Sequence, residues 1–260
     1  MPSEVEDESD LQMRIHGDAD LPTVVYLPGM HGDWTLITGF RNALVGKVRF
    51  VEFTYPRTLT WSLDDYARAV SEKLKAHGIK SGWLLGESFG SQLVWPLAGG
   101  GLFEAEGIVL AGGFGRHPFN LAVRLSTLLC AGIPMVGIGM AMRFYGLVNR
   151  IRFRNEPESR AGIQEFVARR TKLDKCAATH RLRLIAANSP VELAIKVTAP
   201  VYHLSGFWDV IVSWFGARRW LRRHCPNYAG ERLIFGADHT VLPSAPKQSA
   251  ECILGWMKVK

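Results

Sequence analysis

Cysteine is scarce in this chain, and no two cysteines are close together in the sequence. The four cysteines among 260 residues lie at positions 130, 176, 225 and 252, so none forms the C-x-x-C spacing typical of zinc sites. Isolated cysteines are common in reducing compartments. We therefore expect reduced thiols in a cytoplasmic protein, and no metal site.

Basic residues are absent from the first ten positions, which contain five acidic side chains. A secretory signal peptide begins with positive charge and continues into an apolar segment. The amino-terminal sequence therefore gives no indication of secretion.

Long apolar segments are rare as well. The longest uncharged segment runs for eighteen residues, from Leu125 to Met142. That length is at the lower limit for a membrane span, but Pro134 and three glycines interrupt the pattern. We predict a pair of helices, broken near Pro134, that lines a pocket. A true membrane span and shallow insertion into a membrane surface are the alternatives.

Negative charge is sparse in one part of the chain. The net charge of +7 is concentrated between Arg116 and Glu192, where thirteen Lys or Arg accompany five Asp or Glu. No nucleic-acid-binding module or interleaved aromatic pattern stands out there, so we do not expect nucleic-acid binding. The excess is consistent with an anionic substrate, with peripheral contact to an anionic membrane, or with a solvated arginine-rich helical face.

Short apolar segments alternate with amphipathic segments along most of the chain. The apolar segments predict strands at 11–16, 23–27, 48–55, around Trp83, and at 108–110, 201–204 and 232–235. Helical spacing predicts helices at 34–45, 63–77, after Ser88 and at 244–258. This alternation favours an α/β fold with a mostly parallel sheet covered by helices on both faces. Residues 114–199 show no clear strand pattern, so we predict a helical cap inserted before the penultimate strand, between core segments 1–113 and 200–260.

The pentapeptide Gly86-Glu87-Ser88-Phe89-Gly90 lies between a predicted strand and a predicted helix. A serine on such a tight turn needs small neighbours two positions away on each side, and the turn exposes its hydroxyl to a substrate. The motif with this context predicts that Ser88 is a nucleophile.

A serine hydroxyl needs a base, and the base needs an orienting carboxylate. Asp209 follows the predicted strand at 201–204, and His239 follows the predicted strand at 232–235. The order Ser, Asp, His along the chain is that of a known hydrolase type.

These residues resemble those of the α/β-hydrolase superfamily, and the resemblance covers nearly the whole chain. It implies that Ser88 is the nucleophile, His239 the general acid and base, and Asp209 the orienting acid. Asp238 is the nearest rival for the acid, although its place next to His239 makes contact with that ring difficult. His203 and His224 are weaker rivals for the base.

The resemblance also implies two backbone N–H donors for an oxyanion. One would come from Phe89, the residue after the nucleophile. The other would come from the segment Pro28-Gly29-Met30-His31-Gly32, which we call the glycine loop and which looks like the family's His-Gly loop with proline in place of histidine. We assign this donor to Met30; an alternative register assigns it to Asp33.

We therefore expect a serine hydrolase that acts without a cofactor on a small-molecule ester or thioester through an acyl-enzyme, with an apolar acyl group against Leu125 to Met142. The same triad could serve acyl transfer, carbon–carbon bond hydrolysis or perhydrolysis. A catalytically silent ligand receptor is the non-enzymatic alternative.

Overall fold

Seven strands form one sheet in the computed structural model, which describes residues 10–132, 157–168 and 171–259. The order across the sheet is β1-β3-β2-β4-β5-β6-β7; β1 is antiparallel to β3, and the other pairs are parallel. The strands are β1 (Gln12–His16), β2 (Thr23–Leu27), β3 (Arg49–Thr54), β4 (Ser81–Glu87), β5 (Glu104–Ala111), β6 (Val201–Gly206) and β7 (Tyr228–Ile234).

Helices connect the strands and cover the sheet. They are α1 (Thr38–Ala43), α2 (Leu63–Ala76), α3 (Ser91–Ala98), α4 (Asn120–Gly132), α5 (Pro157–Ala168), α6 (Lys172–Ala187), α7 (Val191–Lys196), α8 (Trp214–His224), α9 (Val241–Ser244) and α10 (Pro246–Met257). Short 3-10 turns lie at Thr35–Ile37 and Ser88–Gly90.

Strand β4 shows how alternating side chains build a core on each face of the sheet. Leu84 belongs to a buried cluster with Tyr66 of α2 and Leu93 of α3. Leu85 points to the opposite cluster, which contains Phe40 of α1 and residues of α10. Each such buried side chain contributes about 2 kcal/mol of transfer free energy, so the central strands are anchored from both sides.

The parallel register brings the carboxyl ends of the central strands to one edge of the sheet. Leu27 of β2 lies opposite Gly86 of β4, and Glu87 lies opposite Ala111 of β5, which in turn faces Leu204 of β6. Loops that follow these strands therefore emerge side by side. The predicted fold class, a mostly parallel sheet with helices on both faces, is confirmed.

Most of the described residues between β5 and β6 are helical, and the rest form turns and coil, as at 112–119 and 188–190. Helix α4 packs against α6, and α5 packs against α1 and the 3-10 turn that precedes it. Helix α7 instead packs on α3, where a Cβ placed on Gly99 would lie 2.2 Å from the carbonyl oxygen of Leu193. The predicted break near Pro134 falls outside the described residues.

The final helix, predicted over 244–258, is continuous from Pro246 to Met257 and is preceded by the short helix α9. Helix α9 ends at Ser244, Ala245 has an extended φ of −142°, and α10 begins at Pro246. Helical geometry is disfavoured at the residue before a proline, which is consistent with the start of a new helix at Pro246. Near the amino terminus, Asp33 accepts hydrogen bonds from Thr35, and a 3-10 turn replaces the first part of the predicted helix.

The described cysteines Cys176, Cys225 and Cys252 are unpaired thiols, and burial raises the pKa of Cys225 to about 12. Within the described ranges, no helix combines the length and the apolar character that crossing a bilayer requires.

Candidate active site

Ser88 occupies a sharp turn between β4 and α3. Its φ angle is +48°, a left-handed conformation that is uncommon for a residue with a side chain. A Cβ on Gly90 would lie 2.0 Å from the Leu27 carbonyl oxygen, and a Cβ on Gly86 would lie 2.8 Å from the Cα of Ser91. The turn therefore has no room for a side chain at either glycine.

Ser88, His239 and Asp209 form a continuous hydrogen-bonded chain. Ser88 Oγ lies 2.9 Å from Nε2 of His239, and Nδ1 of the same ring lies 2.9 Å from Oδ2 of Asp209. A carboxylate only accepts, so Nδ1 donates its proton to Asp209 and leaves Nε2 free to accept from the Ser88 hydroxyl. This tautomer is the one a general base needs.

Asp209 is held by its own loop. Its side chain is almost fully buried, and Oδ1 accepts hydrogen bonds from the backbone N–H groups of Ile211 (2.9 Å) and Val212 (2.8 Å). One carboxylate oxygen is thus fixed by the backbone while the other faces His239. The orientation of the imidazole follows from this rigid support.

The three alternative candidates for the acid and the base make other contacts. Asp238 accepts hydrogen bonds at Oδ1 from the backbone N–H and hydroxyl of Thr240. His203 is buried in β6, and His224 packs its ring against Trp220 at the end of α8. The structure joins none of the three to Ser88.

The glycine loop lies beside the Ser88 turn. Gly29 approaches Ser88 closely, since a Cβ built on it would lie 3.5 Å from that of Ser88. Met30 lines the same cavity as Ser88 and is 36% exposed. Asp33 is buried, does not line that cavity, and uses Oδ1 to accept from Thr35. Of these two residues, Met30 is the one that lines the cavity above Ser88.

Phe89 is completely buried directly after Ser88. Its ring packs edge-on against Tyr55 (5.9 Å between centroids) and Tyr66 (5.9 Å). The aromatic contacts hold the turn against the core, so the backbone of Phe89 has a fixed position beside Ser88.

A cavity of about 650 Å³ opens above Ser88. Its walls come from the core and from the helices between β5 and β6, and most of the lining side chains are apolar. They include Val123 of α4, Phe166 of α5, Ile185 of α6, and Val210 and Ile211 from the Asp209 loop. Among the described lining residues there is no Lys or Arg.

The structure describes only part of the apolar segment from Leu125 to Met142, which was expected to contact an acyl group. Ser126 of that stretch lines the cavity, together with Ala122 and Val123 just before it. Residues 133–142 of the stretch lie outside the described residues.

His117, which sequence reasoning missed, also lines the cavity. Burial, and then the charge of the nearby His239, lower the pKa of His117 to about 4. The backbone N–H of Phe119 donates to its Nδ1 at 3.1 Å, so the proton of the neutral ring is on Nε2. His117 is therefore a neutral hydrogen-bond donor in the cavity wall at neutral pH.

Glu87, for which the sequence predicts no role of its own, is a buried carboxyl next to Ser88. The Tyr26 hydroxyl donates to Oε2, and Oε1 has no hydrogen-bond partner among the described residues. Burial, and then the neighbouring Glu87, raise the pKa of Tyr26 well above its usual value. The sequence does not indicate that Glu87 is buried. A glutamate at the end of a strand is usually exposed, and its burial here depends on how the neighbouring strands pair with β4.

No protein-family model matches the chain, and no curated protein matches it significantly. Solved structures do match. The enzyme MGS-M2 from a Medee basin deep-sea metagenome library, described as an alpha/beta hydrolase, has a TM-score of 0.75 at 15% identity, over 95% of this chain and 94% of that one. The chain has the α/β-hydrolase fold.

Two further structures with this fold cover the chain to the same extent. A hydrolase from Pseudomonas aeruginosa PA01 has a TM-score of 0.75 at 14% identity, over 95% of this chain and 94% of that one. The enol-lactonase from Burkholderia xenovorans LB400 has a TM-score of 0.75 at 17% identity, over 95% and 96%. Folds of this kind carry many reactions, so the chemistry has to be argued from the site.

The left-handed turn at Ser88 predicts an unusual order of stability. That conformation costs a residue with a Cβ about 1–2 kcal/mol and costs glycine little, although glycine loses more chain entropy on folding. We expect Ser88→Gly to be about 1 kcal/mol more stable than Ser88→Ala in urea unfolding. Ser91 has a helical φ of −63°, so the same pair of substitutions there should show the opposite order. Equal stabilities at Ser88 would contradict the left-handed turn.

The buried His203 predicts a loss of stability in acid. Burial lowers its pKa to about 4, from 6.5, and its Nε2–H donates to the Gly113 carbonyl oxygen at 3.2 Å. Between pH 6.5 and about pH 4, His203 binds a proton in the unfolded chain but stays neutral in the folded chain. The free energy of unfolding therefore falls as the pH is lowered through this range.

We expect His203→Gln to remove roughly 3 kcal/mol of the difference in unfolding free energy between pH 7 and pH 4. Urea titrations at several pH values measure it. The exposed His77, changed to Gln, is the matched control. If the unfolding free energy of His203→Gln depends on pH in the same way as that of the unmodified protein, the low pKa of His203 is refuted.

Proposed function

We propose that this protein is a serine hydrolase that cleaves a carboxylic ester or thioester through an acyl-enzyme. The observation that carries the proposal is the hydrogen-bonded chain Ser88–His239–Asp209 at the floor of an apolar cavity of about 650 Å³. A catalytically silent ligand receptor would need the cavity, but it would not need the hydrogen bonds that join Ser88, His239 and Asp209.

Acylation follows from the tautomer of His239. The Ser88 oxygen attacks the carbonyl carbon while its proton moves to Nε2 of His239, and Asp209 stabilises the resulting imidazolium. The tetrahedral intermediate then expels the alcohol or thiol, which takes the proton from Nε2. Water, activated by the same nitrogen, attacks the acyl-enzyme, and the carboxylic acid leaves.

The negative oxygen of each tetrahedral intermediate needs fixed donors. The backbone N–H groups of Phe89 and Met30 are the proposed pair. Buried Phe89 and the close approach of Gly29 to Ser88 support this assignment. Donors fixed in advance stabilise the transition state more than the substrate, which is what lowers the barrier.

The cavity wall favours an uncharged acyl group. Val123, Phe166 and Ile185 supply apolar surface, and the described part of the lining contains no Lys or Arg to pair with an anion. A thermophilic esterase from Thermogutta terrifontis shares the fold, with a TM-score of 0.72 at 17% identity over 95% of this chain. An ester with an apolar acyl chain is therefore the proposed substrate class.

The nucleophile assignment predicts the labelling pattern of a fluorophosphonate probe, which reacts only with an activated serine. The unmodified protein should be labelled and should hydrolyse p-nitrophenyl butyrate, whereas Ser88→Ala should lose labelling and at least about 10³-fold in kcat. Ser126 lines the same cavity, so Ser126→Ala is the matched control and should keep both. Labelling that persists in Ser88→Ala, or that disappears equally in Ser126→Ala, would overturn the assignment.

The acyl-pocket assignment predicts a shift in chain-length preference. Val123 is 6% exposed and lines the cavity, while Leu121 on the same helix is 72% exposed and does not. Val123→Phe adds bulk to the cavity, so we expect kcat/KM for p-nitrophenyl octanoate to fall about tenfold relative to the acetate. Leu121→Phe adds the same ring outside the cavity and should leave the ratio unchanged. An unchanged ratio in Val123→Phe would place the acyl group elsewhere.

A further inference from the structure

A buried arginine from α6 reaches the loop that is proposed to hold the oxyanion. Arg181 is 2% exposed, and its guanidinium donates from Nη1 to the carbonyl oxygen of Met30 at 2.9 Å and from Nη2 to that of Pro56 at 3.2 Å. An arginine is rarely buried unless its donors are used. Here one of them is used on Met30, which is the residue assigned as an oxyanion donor.

The same guanidinium lies against the second proposed donor residue. Its carbon is 6.0 Å from the ring centroid of Phe89 and 5.4 Å from that of Tyr55, at distances where a cation is attracted to an aromatic face. Arg181 is thus in contact with both Met30 and Phe89, although it is about 150 residues from Met30 in the sequence.

Two hydrogen bonds fix the two peptide units on either side of the Met30 Cα. The carbonyl of Gly29 accepts from the N–H of Gly32 at 2.9 Å, and this carbonyl belongs to the same planar unit as the N–H of Met30. The next unit carries the Met30 carbonyl, which Arg181 holds. The direction of the Met30 N–H is therefore determined from both sides.

The glycine loop is shaped around the guanidinium. A Cβ placed on Gly32 would lie 2.5 Å from Nη1 of Arg181 and 2.7 Å from its Cζ, and Gly32 has a φ of +82°. A glycine at this position lets the guanidinium lie directly against the loop. The loop and the arginine therefore depend on each other for their conformation.

Arg181 also connects the loop to the acyl pocket. Leu182 and Ile185 of α6 line the cavity, and Arg181 precedes them on the same helix. Near the start of α6, Asp174 forms an ion pair of 2.7 Å with Arg57 from the loop after β3. Helix α6 is therefore held to the core by two arginine contacts, the Arg57–Asp174 ion pair and the hydrogen bonds of Arg181.

We propose that Arg181 is a positioning residue, which orients the Met30 N–H toward the oxyanion and ties that orientation to helix α6. The inference rests on the proposed function. Arg181 is buried and does not line the cavity, so it does not touch the bound substrate. Its proposed effect is on the stability of the transition state and not on substrate binding.

The test compares Arg181→Met with Arg183→Met in the full chain. Arg183 lies on the exposed side of the same helix, so its variant controls for the loss of a positive charge from α6. Steady-state hydrolysis of p-nitrophenyl butyrate is measured and normalised to the fraction of protein that a fluorophosphonate probe labels. This normalisation removes any effect of a smaller folded fraction.

We expect kcat to fall by about 10- to 100-fold in Arg181→Met with KM within about threefold of its original value, since a misplaced donor weakens only the transition state. Arg183→Met should match the unmodified protein. Binding of a boronic acid, which mimics the tetrahedral intermediate, should weaken in parallel with kcat. An unchanged kcat, or a rise in KM that accounts for the whole loss, would overturn the inference.

Gly32→Ala provides a second variant if Arg181→Met does not fold, because its methyl group, at a left-handed φ of +82°, would strain the loop and push the guanidinium away while leaving the arginine present. The same loss of kcat is expected there, and unchanged kcat would count against the inference. If the unmodified protein neither hydrolyses esters nor reacts with the probe, the proposed function itself fails. If it does both and the Arg181 and Gly32 variants keep full kcat, only the role of Arg181 fails.

Discussion

The close contact between the Ser88 turn and the end of β2 is the constraint on which the site depends. The backbone of Gly90 approaches the Leu27 carbonyl so closely that no Cβ fits between them, and it also lies near the carbonyl of Pro28. The turn that carries Ser88 and the loop that carries Met30 therefore touch through their backbones. Close-packed interiors transmit small displacements, so a shift of either segment would move the other.

The other half of the site comes from β6 and β7, and its geometry is set in a different way. Asp209 is oriented by hydrogen bonds from its own loop, and His239 is oriented by Asp209. A charged network in a buried site is stabilising only when its members are paired. Burial keeps His117 and His203 neutral at pH 7 by lowering the pKa of each to about 4. No additional positive charge from these two rings therefore competes with the imidazolium that His239 would form in the proposed reaction.

The positions of Ser88, Asp209 and His239 could be predicted from the sequence because each follows an apolar strand, and the parallel register aligns the ends of those strands. Arg181 and His117 could not be found in the same way. Both lie in the segment inserted between β5 and β6, and their contacts depend on how its helices pack, which no local pattern encodes. The basic excess of that segment pointed to anions or solvent, yet one of its arginines is buried against aromatic rings and backbone carbonyls.

The chain divides into a core and a cap along the sequence, but the candidate site is built from both parts. Helices α4, α5 and α6 supply cavity wall, and α6 also supplies the guanidinium that holds the glycine loop. A substrate that fills the cavity presses on the same helix that orients a proposed oxyanion donor. Binding energy from an acyl chain far from the carbonyl can then be used to stabilise the transition state, which is how a remote part of a substrate raises kcat rather than only lowering KM.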